Sequence, residues 1–145
     1  MLLHRIFAIR FFMACLLGAL LLACGTVAST PEGTVKEYLK AVADNRAADA
    51  VAFYELGNVK DNDLTMVKGK LQMMIGAEYS RMQDDGGLQL VETRIVSQEG
   101  DAATVETTLT MGQGKQETNK VDLVKKEGRW MIQLNSLMDR WRLKQ

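Results

Sequence analysis

Histidine, cysteine and proline are nearly absent from this 145-residue sequence, which holds one His, two Cys and one Pro. His4, Cys15 and Cys24 all fall at the amino-terminal end, so everything from Gly25 onward lacks both imidazole and thiol. Ser-His-Asp and Cys-His catalysis need an imidazole to move the proton, and both are excluded from that region. Zinc sites built on Cys and His are excluded with them, as is any disulfide. An excess of one charge is also missing: 18 basic residues face 18 acidic ones, so nucleic acid is not an expected partner. No apolar run reaches the ~20 residues that a membrane-spanning helix needs. No cofactor is expected. The length suits one domain.

What is present is unevenly placed. Residues 1–23 carry His4, Arg5 and Arg10 early, no acidic residue, and then an uncharged run from Phe11 to Ala23 rich in Leu and Ala. A basic start, a short apolar stretch and a small residue before the cut describe a secretory signal peptide. An uncleaved anchor is the alternative reading. Leu21-Leu22-Ala23-Cys24-Gly25 resembles the lipobox of bacterial lipoproteins. That resemblance implies cleavage between Ala23 and Cys24, diacylglycerol on the Cys24 sulfur and an acyl (palmitate) group on the freed amine. More than one chain is needed for a stable anchor, at ~0.8 kcal/mol per buried methylene. Gly25 rather than Asp after the Cys implies an outer-membrane destination facing the periplasm, if the source is Gram-negative.

Cleavage would leave 122 of the 145 residues, with 16 basic residues against 18 acidic. Residues 24–30 read as a lipidated tether, and 31–134 as one folded domain. Thr30-Pro31-Glu32 offers a hydroxyl cap, a first-turn Pro and an acid at the positive end of a helix dipole. Val35, Tyr38, Leu39 and Val42 then predict a helix to about Asn45. A second helix is expected through Ala47, Ala50, Val51 and Tyr54, ending at Gly57-Asn58. Asp61-Asn62-Asp63 offers caps for a third, with Leu64, Val67, Leu71, Ile75, Tyr79 and Met82 as its stripe. Gly69 and Gly76 lie on nearly one face of that helix and predict close packing of a neighbouring element, since each costs ~1 kcal/mol relative to Ala.

After Gly87 the period changes from 3.6 to 2. Ala103, Val105, Leu109 and Met111 alternate with Thr104, Glu106, Thr108 and Thr110, and Trp130, Ile132 and Leu134 alternate with Arg129, Met131 and Gln133. Val121 and Leu123 do so more weakly. Leu88 and Leu90 sit in one phase and Val91 and Ile95 in the other, which predicts a bulge and a curved sheet. The expected fold is α+β: N-terminal helices packed on a curved four-stranded antiparallel meander.

Val35-Lys36-Glu37-Tyr38-Leu39, Ala103-Thr104-Val105, and Val121-Asp122-Leu123-Val124 running into Gly128-Arg129-Trp130-Met131-Ile132 carry a family resemblance. Over Thr34 to Leu134 the chain resembles an uncharacterised family of bacterial lipoproteins within the cone-shaped nuclear-transport-factor-2-like superfamily. That superfamily also contains ketosteroid isomerase and scytalone dehydratase. The resemblance implies the cone fold but brings no catalytic motif, and such a fold hosts enzymes and binding modules alike.

An isomerase or dehydratase of that type needs an acid/base pair tuned by burial inside the cone. Glu92 shares phase with Leu88 and Leu90 and is the one strand carboxylate expected to point inward, with a solvated strand-end Glu as the plainer reading. Tyr38, Tyr54, Met74 and Tyr79 complete the candidate pocket residues, although aromatic and Met residues on helical stripes are also core formers. Residues 135–145, with Arg140, Trp141, Arg142 and Lys144, read as a short basic segment. It suits an anionic membrane surface, a partner, or a short helix packed through Leu137, Met138 and Trp141. The expected role is a non-catalytic module on a membrane anchor, binding an envelope partner or a small apolar ligand. A metal-free carboxylate-dependent isomerase or dehydratase is the alternative.

Overall fold

A computed structural model describes residues 30–135. Residues 1–23 of the expected signal peptide, including Ala23, then Cys24 and the expected tether as far as residue 29, and residues 136–145 of the basic carboxyl segment lie outside the described residues. Helix α1 (Pro31–Ala43) begins where the sequence places it, with Thr30 Oγ1 accepting from the Gly33 amide at 3.1 Å. Its apolar stripe is fully buried, with Val35, Tyr38, Leu39 and Val42 no more than 2% exposed. Buried Thr34 satisfies its hydroxyl on the Thr30 and Trp130 carbonyl oxygens, which ties α1 to the sheet.

The expected second helix is much shorter. α2 (Ala47–Val51) stops after five residues, and the chain enters strand β1 (Tyr54–Glu55). Tyr54 is therefore a buried strand residue and not part of a helical stripe. β1 runs parallel to β5 (Arg129–Gln133), with Tyr54 opposite Ile132 and Glu55 opposite Gln133. The Ile132 amide also donates to the Phe53 carbonyl at 2.7 Å. The sheet thus has five strands rather than four. Two residues are too few to show a period, and the parallel partner lies some 78 positions further on, so no local pattern marks this strand.

Helix α3 (Asp61–Asp84) packs on α1 and α2. Asp61 and Asp63 lie inside its first turn, where they oppose the helix dipole; Lys60 holds the cap position without a side-chain bond. Of the predicted stripe Leu71, Ile75 and Met82 are buried, and Val67 and Tyr79 are packed partly against them. The close packing predicted at Gly69 and Gly76 is not found among the described residues, where a Cβ added at either would meet nothing within 4 Å. The Met residues nearby on this surface, Met66 and Met73, are 54% and 70% exposed.

β2 (Leu88–Glu99), β3 (Ala102–Met111), β4 (Gln116–Lys126) and β5 form the expected antiparallel meander, and the strand order is β1-β5-β4-β3-β2. β3 buries every second residue, as its alternation requires. Register shifts between Leu88 and Leu90 and between Ile95 and Ser97 supply the irregularity that the phase switch predicts. α1 crosses one face, touching β2, β3 and β5, and Trp130 and Ile132 join the core beneath it. The opposite face is polar: Arg94 pairs with Glu106, and Thr104 donates to Asp122 at 2.7 Å.

One contact fixes α3 to the far end of the meander. The backbone of Gly86, just past α3, lies so close to Gly112 in the β3–β4 turn that a Cβ on Gly112 would collide with the Gly86 carbonyl. Gly112 N–H donates to Gly87 O at 2.9 Å and Gln113 N–H to Asp85 O at 3.2 Å. Around this seam Arg81 pairs with Glu117 at 2.5 Å and Lys115 with Asp85 at 2.7 Å. The bond to Asp85 holds the Lys115 ammonium above the usual lysine range.

Candidate functional site

Inside the cone, between α1 and the sheet, side chains fill the space. Among the described residues the void there measures about 10 Å³, lined by Tyr38, Thr107 and Asn119 among apolar neighbours. Tyr38 and Tyr54 meet in this core: their rings pack edge to face with centroids 5.5 Å apart, and their hydroxyls are hydrogen-bonded at 3.0 Å. Both are fully buried. Two of the five candidate pocket residues are therefore together in the core, Tyr38 lining this void and Tyr54 lining the larger groove on the other side. Met74 and Tyr79 are half-buried on α3 and pack against the core.

Glu92 does not point inward. The irregularity between Leu88 and Leu90 inverts the phase of β2, which leaves Glu92 exposed on the outer face together with Leu90, 51% exposed. Inside, the β2 positions are Val91, Thr93 and Ile95. Among the described residues no group of three His, Cys, Asp or Glu side chains is placed to hold a metal ion. No helix among them is long and apolar enough to cross a membrane.

The larger opening lies elsewhere. A groove of about 540 Å³ runs between α2, β1, the loop after β1 and the first turns of α3. Val51, Leu56, Val59, Leu64 and Met131 give it an apolar lining, and Asp61, Lys68 and Gln72 line it along α3. A second recess of about 440 Å³ shares Glu55 and Val59 with it and reaches Leu134 and Asn135. Of the five candidate pocket residues Tyr54 alone lines this groove, and reasoning from the sequence missed the rest of it. Its one local signal is the pair Leu56 and Val59 astride Gly57-Asn58, apolar residues in a turn that otherwise reads as polar.

Helices leading into a curved five-stranded mixed sheet, with one helix crossing its inner face, define an NTF2-like domain. The chain belongs to the family described as "Domain of unknown function (DUF4878)", whose model matches residues 22–133. Among solved structures it is similar to a Campylobacter jejuni protein provisionally named an NTF2-like transpeptidase. The two are 19% identical, the match covers 72% of this chain and 98% of that one, and the TM-score is 0.68. A SEC-C motif containing protein from Rhodopseudomonas palustris is 20% identical over 77% of this chain and 81% of its own. Its TM-score of 0.46 is too low to define a shared fold. No curated protein matches the chain.

Proposed function

We propose that this protein is a lipid-anchored lipoprotein of the bacterial cell envelope whose NTF2-like domain is a non-catalytic binding module. Its binding site is the groove beside β1, and its ligand is a short apolar segment of an envelope partner. The observation that carries this reading is the groove itself: about 540 Å³ stands open beside β1 with aliphatic and thioether side chains along it, whereas the void described between α1 and the sheet measures about 10 Å³. Ligand sites are concave and mostly apolar with a few polar groups, which describes the groove and not the cone.

The lipobox-like Leu21-Leu22-Ala23-Cys24 supports an acyl anchor at Cys24. For a Gram-negative source, Gly25 supports an outer-membrane location facing the periplasm. The transpeptidase in the name of the Campylobacter jejuni neighbour is not carried over, because at 19% identity the likeness is one of fold. The isomerase or dehydratase alternative gains no support from Glu92, which is exposed.

Native mass spectrometry of the protein purified from its own envelope tests the binding reading. A bound polypeptide that is lost in a Leu56→Glu, Leu64→Glu variant is the expected result. A bound small apolar molecule lost in the same variant would replace the peptide with a lipid-like ligand. A companion retained by the variant would put the site outside the groove. Intact-mass analysis of Cys24→Ser tests the anchor separately, since a lipid mass that survives the change would place it on another residue.

A further inference from the structure

Thr107 is 2% exposed and faces inward from the middle of β3. Its hydroxyl has no hydrogen-bond partner, and the same holds for the buried hydroxyl of Thr93. These two residues are paired directly across β2 and β3, and Asn119 on β4 is paired with Thr107 from the other side. Three polar side chains thus form one row across the inner face of an otherwise apolar sheet. Directly opposed residues hold their Cβ atoms about 4.5–5.5 Å apart, a separation one oxygen atom can bridge. Thr107 and Asn119 also line the void beneath Val35, Tyr38 and Leu39.

We propose that the Thr107–Asn119 part of this row is a binding site for a single water molecule, held in the void by the Thr107 hydroxyl and the Asn119 side chain. Leaving a buried hydroxyl unpaired is unfavourable, so Thr107 calls for a partner in the void it lines. The void of about 10 Å³ is at the threshold for one water and far too small for an organic ligand. A water offers two donors and two acceptors, enough to satisfy the Thr107 hydroxyl and the Asn119 amide together. Its chemistry also explains why threonine stands where the alternation Val105, Thr107, Leu109 calls for an aliphatic residue.

Magnetic relaxation dispersion, which counts long-lived internal waters, tests the site in the full chain. Thr107→Val removes the hydroxyl at nearly constant volume and should lower the count by one, whereas Thr107→Ser should leave it unchanged. A valine variant with the wild-type count overturns the proposal. Should that variant fail to fold, a crystal structure of the wild type at atomic resolution decides instead. A water within hydrogen-bond distance of the Thr107 hydroxyl and the Asn119 side chain bears the site out, and a dry void overturns it.

Discussion

Replacing Gly69 and Gly76 together by alanine should make the protein more stable by about 2 kcal/mol. Both lie within the 24 residues of α3, and neither has the positive φ that only glycine tolerates well. Each therefore carries the helix penalty of glycine, about 1 kcal/mol relative to alanine, through the freedom that it gives the unfolded chain. Among the described residues an added methyl meets nothing within 4 Å at either position, so no clash with them offsets the gain. The two sites are about 10 Å apart along the helix axis at 1.5 Å per residue, far enough for their effects to add. For a domain of this size the sum corresponds to about 8 °C in melting temperature. Thermal unfolding followed by circular dichroism at the helix band measures the shift, and urea unfolding gives the free energy independently. An unchanged or lowered melting temperature in the double variant would refute the reasoning, because it would mean that some part of the same chain packs on this face.

The opposite sign is expected at Gly112→Ala, where the new methyl collides with the Gly86 carbonyl; a loss of about 1–3 kcal/mol in urea unfolding checks it. Tyr38→Phe and Tyr54→Phe each break the buried hydroxyl pair and should cost about 1–3 kcal/mol, while the double variant should cost clearly less than their sum. A double-mutant cycle by thermal melting reads that coupling. Lys115 is held above its ordinary value of about 10.5, chiefly by its bond to Asp85, so its contribution is fully present below that pH and fades as the pH rises through the folded value. Melting temperatures measured from below to above pH 10.5 should therefore fall more steeply for the wild type than for Lys115→Met.

Much of the fold is legible locally. Thr30-Pro31-Glu32 announces α1, since cap, proline and dipole act within one turn, and β3 announces itself through strict alternation that one buried face imposes. The absence of imidazole and thiol after Cys24 is a matter of counting, and no tertiary structure alters it. Other features depend on atoms far apart in the chain. Tyr54 continues the spacing of a helix, yet the backbone of β5 captures it as a strand, because a five-residue helix is too short to hold against new inter-strand bonds. Glu92 reads as inward until a one-residue irregularity reverses the faces of β2, which a period of two allows at every slip. Gly69 and Gly76 read as packing sites, but whether anything packs on a helix face is settled by the path of the rest of the chain. The groove beside β1 and the Thr93–Thr107–Asn119 row exist only once separate strands and helices are side by side. Periodicity and capping are properties of neighbours in sequence, and they were sufficient for the elements; cavities, registers and orphaned hydroxyls are properties of neighbours in space, and only the folded chain decided them.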